Sequence, residues 1–82
     1  MSTTVYTKPD CPQCDATKKY LNKYGIEFNT VDITENKDAY DLVVSMGYKY
    51  TPVVVSNNNH WSGFRPDKIA SLRTVKPESN AL

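Results

Sequence analysis

Strand-like and helix-like patterns alternate along this chain with few residues between them. That alternation restricts the fold more than any other feature. "TTVYTK", Thr3 to Lys8, is rich in β-branched and aromatic residues and stops at Pro9, which predicts a strand. Thr17, Tyr20, Leu21 and Tyr24 then recur at i, i+3, i+4 and i+7, one face of a helix that ends at Gly25. "IEFNTVDI", Ile26 to Ile33, predicts a second strand. Ala39, Leu42, Val43 and Met46 give the apolar face of a second helix, closed by Gly47. Its start falls either at a capping box of Asp32 with Glu35 or at Thr34 as N-cap. Beyond Pro52, "VVV" reads as a short apolar strand, and the turn-formers Ser56 to Asn59 lead into "HWS" as its hairpin partner. Pro66 suits the first position of a last helix, with Asp67 placing negative charge at its positive end. Ile69 and Leu72 would then face the core.

The order is β-α-β-α-β-β-α, an α/β chain with a four-stranded mixed sheet flanked by helices. The first two strands should run parallel through a right-handed crossover and the last two should form an antiparallel hairpin. At 82 residues the chain makes one domain. Residues 1–76 are expected to form it, and the remaining residues, "PESNAL", have little to bury and are expected to be a disordered tail. Ten Lys and Arg against nine Asp and Glu leave a net charge of +1, whereas a nucleic-acid binder needs a basic face. No apolar run is long enough to cross a membrane. The opening "MSTTVYTKPD" shows no signal-peptide h-region, so a cytoplasmic protein with reduced thiols is expected.

The only two cysteines, Cys11 and Cys14, stand between the first strand and the first helix in "KPDCPQCDATKKYL". A bridge between them closes a very short loop and contributes little stability, and one pair is not the pattern of a disulfide-stapled domain. Structural zinc needs four ligands, and Cys11, Cys14 and His60 supply three, so no metal is expected. Asp15 after Cys14 rules out a c-type haem attachment. A reactive dithiol fits the position. If Cys11 caps the helix, the free N–H groups of the first turn point at its sulfur, and the helix dipole favours the thiolate. Its pKa then falls below the free value of about 8.5. Cys14 lies one turn on, on the same side, where it can resolve a mixed disulfide. Pro12 fits helix position N1 and Gln13 fills the spacer. Lys8 either adds positive charge near Cys11 or is a solvated strand-end lysine.

"HWSGFRPDKI", His60 to Ile69, taken with "TVYTKP", "CPQC", "GIEFNTVDI" and "GYKYTPVVV" in that order, resembles the NrdH-redoxin family over about residues 3 to 72. The resemblance implies a thioredoxin-like fold and a glutaredoxin-like sequence with thioredoxin-like behaviour. It implies reduction by thioredoxin reductase and electron delivery to the catalytic subunit of class Ib ribonucleotide reductase. No cofactor beyond the cysteine pair, no nucleic-acid or membrane partner, and a monomer are expected. Carried over residue by residue, the resemblance makes Cys11 the attacking and Cys14 the resolving cysteine. It matches Pro52 to the cis-proline beside the active site, leaving the backbone of Thr51 free to pair with an extended substrate. It gives Trp61, Ser62, Gly63, Phe64, Arg65 and Pro66 a place in a hydrogen-bonded structure near the dithiol. Trp61, Phe64 and the Thr51–Pro52 backbone are the expected partner-binding ground.

One residue departs from the family pattern. Pro12 stands where Met or Val is usual, so "CPQC" is nearer a glutaredoxin spacer. A glutathione-coupled glutaredoxin is therefore the alternative, and a cysteine-based metal-binding module is a third reading. Glutaredoxins typically carry a Gly-Gly-x-Asp-like segment at the last helix, which holds the γ-glutamyl carboxylate of glutathione. This chain has Gly63-Phe64-Arg65-Pro66-Asp67 there, where Phe64 adds bulk and Pro66 lacks a donor.

Overall fold

The computed structural model describes residues 3–56 and 59–73. The expected tail and the end of the expected domain lie outside the described residues, as do Asn57 and Asn58 of the predicted turn. The elements run β1 (Thr3–Thr7), α1 (Pro12–Lys23), β2 (Asn29–Asp32), α2 (Lys37–Ser45), β3 (Val53–Ser56), β4 (Asn59–Ser62) and α3 (Pro66–Arg73). The sheet order is β2-β1-β3-β4. β1 pairs parallel with β2 and antiparallel with β3, and β3 pairs antiparallel with β4. This is the mixed, thioredoxin-like sheet expected from the order of the segments.

Register places the core. Val5 pairs with Val54 and Val54 with Trp61, so by the period-2 pleat these three side chains share one face. Leu21 from α1 and Ile69 from α3 close over them, and all five are buried. Burial of a large aliphatic side chain such as Leu21 or Ile69 contributes about 1.5–3 kcal/mol. At the far end of the same face the buried Thr3 and Ser56 hydroxyls bond each other at 2.8 Å, so neither is left without a partner. Val53, of opposite parity, is also buried, as are Ala39 and Val43 of α2.

Both α1 and α2 end in the same way. Ile26 N–H donates to Leu21 C=O and Gly25 N–H to Asn22 C=O; Tyr48 N–H donates to Val43 C=O and Gly47 N–H to Val44 C=O. These are Schellman closures, which need the left-handed backbone that Gly25 (φ 72°) and Gly47 (φ 89°) adopt.

Three local expectations are corrected. The second strand is shorter than Ile26 to Ile33, because the Ile26 amide is committed to the end of α1 and pairing with β1 begins only at Asn29. α2 is capped by neither Asp32 nor Thr34. Asp32 Oδ1 instead accepts from the backbone and hydroxyl of Thr34, a local turn, and Asn36 caps the helix by accepting from Ala39 N–H at 3.0 Å. Leu42 does not face the core; it is 44 % exposed, because α2 packs through the narrower stripe of Ala39 and Val43.

Candidate functional site: a cysteine pair capping the first helix

β1 ends at Thr7, and Lys8, Pro9 and Asp10 carry the chain across to α1. Asp10 takes φ 57°, a conformation that Asp tolerates better than most residues, and it turns the backbone immediately before Cys11. Cys11 then sits at the N-cap with extended dihedrals, and Pro12 occupies the first helical position. The Cys11 carbonyl accepts from Asp15 N–H at 3.1 Å, the first bond of the helix. Its sulfur accepts from Cys14 N–H at 3.1 Å. A sulfur in this place meets an unpaired amide of the first turn and the positive end of the helix dipole.

Cys11 and Cys14 are joined as a disulfide, with Cα atoms 5.2 Å apart. Cys14 has no exposed surface, while Cys11 keeps a small exposed fraction, 8 %. An incoming sulfur can therefore approach Cys11 only. The Thr51 hydroxyl lies 3.6 Å from Cys11 Sγ. The Thr51–Pro52 peptide bond is cis. Pro52 C=O accepts from Gly63 N–H at 2.8 Å, and Tyr50 C=O accepts from the Ser62 hydroxyl at 2.9 Å. The carbonyls on either side of Thr51 are thus tied to the end of β4.

The spacer is tied to the same place. Gln13 Oε1 accepts from Phe64 N–H at 3.1 Å, linking α1 to the loop before α3. The Phe64 ring packs edge-on against Tyr20, with centroids 5.0 Å apart. The Arg65 carbonyl accepts from Lys68 and Ile69 N–H, opening α3, and its guanidinium pairs with Asp67 at 3.3 Å. That hydrogen-bonded Arg65 side chain holds the Asp67 carboxyl below its ordinary value, helped by the Arg65 charge and by backbone N–H of Asp67 and Lys68. Lys8 and Pro66 are exposed at the edges of the site.

Trp61 needs correction. Expected on the partner-binding ground, its side chain is 4 % exposed and belongs to the core with Val5, Leu21, Val54 and Ile69. Its indole N–H donates to no described group, so it takes no part in the hydrogen bonds around the dithiol. Burial follows from parity: Trp61 pairs with Val54 on the helix-covered face, and the alternate residue Ser62 faces the loop. His60 is exposed, with Nδ1 2.6 Å from the Tyr48 hydroxyl. Tyr20 and Asp10 were not singled out in the sequence as site residues. Only Asp10 carries a local signal, as a residue type able to turn left-handed just before a cap.

Fold and site together define a class, the thioredoxin-fold proteins with a thiol–disulfide redox pair. A glutaredoxin family model matches residues 3–61. The glutaredoxin-like protein NrdH of Salmonella typhimurium is 41 % identical, covering 99 % of this chain and all of that protein. NrdH of Escherichia coli K12 is 35 % identical over the same shares. The solved structure of the glutaredoxin-like NrdH-redoxin from Escherichia coli, a protein described by its thioredoxin-like activity profile, aligns with TM-score 0.86 at 38 % identity. The alignment covers 88 % of this chain and 95 % of that one. The chain belongs to the NrdH-redoxin family of glutaredoxin-like thiol–disulfide redox proteins. Among the described residues no helix is long and apolar enough to cross a membrane.

Proposed function

We propose that this chain is a cytoplasmic, monomeric dithiol electron carrier, reduced by thioredoxin reductase and oxidised by protein disulfides. Its principal client in this reading is the catalytic subunit of class Ib ribonucleotide reductase. The observation that carries the reading is the inequality of the two sulfurs at the start of α1: Cys11 Sγ accepts a first-turn amide and keeps some exposure, while Cys14 has none. In the reduced form Cys11 is the thiolate and attacks one sulfur of the client disulfide, releasing the other as a thiolate that takes a proton from water. Cys14 gives up its proton and attacks Cys11 in the mixed disulfide, freeing the second client thiol. The pair carries both electrons, so no further cofactor is needed. The free backbone of Thr51 supports strand-like pairing of the client segment beside Cys11, because the carbonyls on either side are already committed.

The glutathione-coupled alternative draws support from the Cys-Pro spacer and the glutaredoxin family model. The N-terminus of α3 weighs against it. Phe64 N–H is taken by Gln13, Pro66 has none, and the Asp67 carboxylate occupies backbone N–H of that first turn. Arg65 is already paired with Asp67. A γ-glutamyl carboxylate thus loses two or three donors at about 1 kcal/mol each, a weakening of tens- to hundreds-fold.

Trapping tests the carrier and its client together. With the oxidised catalytic subunit of class Ib ribonucleotide reductase, Cys14→Ser should accumulate a mixed disulfide through Cys11, and Cys11→Ser should accumulate none. Equal trapping by both variants refutes the assignment of roles. Trapping on other disulfide proteins but not on this subunit refutes the client.

A further inference from the structure

A groove of about 580 Å³ opens beside the dithiol, and Thr51, whose hydroxyl touches Cys11 Sγ, is part of its wall. α2 contributes Tyr40, Val43 and Val44, and the loop before Thr51 contributes Tyr50. Tyr40 is 51 %, Val44 50 % and Tyr50 77 % exposed, so this apolar ground has no partner within the described residues. Two cations, Lys8 and Lys49, also line the groove, and none of its lining residues carries a carboxylate. Neither lysine is in an ion pair with the acidic residues of the described chain, whose salt bridges involve Lys18, Lys37 and Arg65. A nearly neutral protein thus carries an aromatic-rimmed groove whose lining charges are both positive, with Thr51 joining it to the reactive sulfur; the Asp32 carboxylate behind its wall is taken up by the Thr34 N–H and hydroxyl.

We infer that this groove selects extended client segments in which acidic residues flank the reactive disulfide. The inference rests on the redox reading above and names the substrate class it serves. Tyr50 supplies an aromatic anchor one residue from the Thr51 backbone, the kind of side chain that dominates interfaces. Its position is held, because its carbonyl is bonded by Ser62. Lys8 and Lys49 complement carboxylates on the client, which speeds encounter and excludes basic segments. Chemically the step is the exchange already described. Cys11 and Cys14 are oxidised to their disulfide, the client disulfide takes two electrons, and the client thiols take one proton from Cys14 and one from water.

The test is single-turnover, so it needs no reductase. Pre-reduced full-length protein is mixed with short peptides holding an intramolecular Cys-x-x-Cys disulfide flanked by Glu, by Gln or by Lys, and second-order rate constants are compared. At low ionic strength the Glu peptide should react about ten-fold faster than the Lys peptide, with Gln between them, as expected from two exposed charge pairs. This ratio should shrink to about three-fold in Lys49→Gln, and towards one in wild type at high salt. Tyr50→Ser should slow all three peptides while leaving their ratio intact. Equal rates for the three peptides overturn the inference and leave the redox function standing. Reduction of none of them overturns both. Rate constants that fall with rising protein concentration, together with a dimer in sedimentation, assign the groove to a second copy and also overturn it.

Discussion

Cys11 and Cys14 are the same residue type one turn apart, and only their positions on α1 distinguish them. Cys11 Sγ accepts an amide at the helix start, where the dipole favours negative charge, while Cys14 is enclosed and donates its own N–H to that sulfur. In the reduced protein the Cys11 thiol should therefore titrate below the Cys14 thiol; ultraviolet thiolate titration of the two single-Ser variants measures the order, and the reverse order contradicts the capping geometry. Asp67 titrates on the opposite side of the site. Its folded value is lowered, first by the hydrogen bond from Arg65, so its contribution to stability is present above the unfolded carboxylate value and lost as pH falls through the folded one. Arg65→Gln should move the Asp67 carboxyl upward in an NMR titration. Both carboxylate and guanidinium are largely exposed, so the effect on stability is small. Trp61 behaves differently from what its motif suggests. Trp61→Ala removes the largest member of the core cluster and should cost about 3–5 kcal/mol in denaturant unfolding. A loss below about 1 kcal/mol would contradict its placement in the core. The cysteines were legible from sequence because spacing and helix position suffice. Trp61 read by its residue type alone is a core or patch aromatic, and only the motif moved it to the partner-binding ground; the choice between core and patch needed register with Val54, set by non-local pairing.

Elements were legible where their ends carry their own chemistry. Gly25 and Gly47 mark the ends of α1 and α2 because the closures need positive φ, and Pro12 and Pro66 mark starts because N1 needs no N–H. The start of α2 was not legible. Asp32, Thr34 and Asn36 are all capping types, and local chemistry does not choose among them; Asp32 and Thr34 satisfy each other in a turn, leaving Asn36 to meet Ala39 N–H. Asn36→Ala should therefore cost about 1 kcal/mol, and Thr34→Ala should leave α2 capped. Thermal melts separate the two, since about 1 kcal/mol shifts a domain of this size by roughly 4–8 °C. Equal losses would return the cap to Thr34. The loop from Ser62 to Arg65 shows the same limit. Its bonds to Tyr50, Pro52 and Gln13 join three segments far apart in sequence; the motif implied a hydrogen-bonded structure there, but no local pattern names its partners.

At the scale of the whole molecule, the alternation of strands and helices was enough to give a mixed four-stranded sheet, because short connections leave few topologies. Composition was a poorer guide to recognition. A net charge of +1 suggests a surface without electrostatic preference, yet folding gathers Lys8 and Lys49 at one groove that no carboxylate lines. In the proposed reading the source of electrons turns on the start of α3, where Gln13, Pro66 and Asp67 leave few donors for a glutathione carboxylate. Coupled turnover measures that directly. With NADPH and a protein disulfide as acceptor, thioredoxin reductase should sustain reduction through this chain, while millimolar glutathione with glutathione reductase does so tens-fold more slowly or worse. Turnover with glutathione equal to or faster than that with thioredoxin reductase would contradict the account.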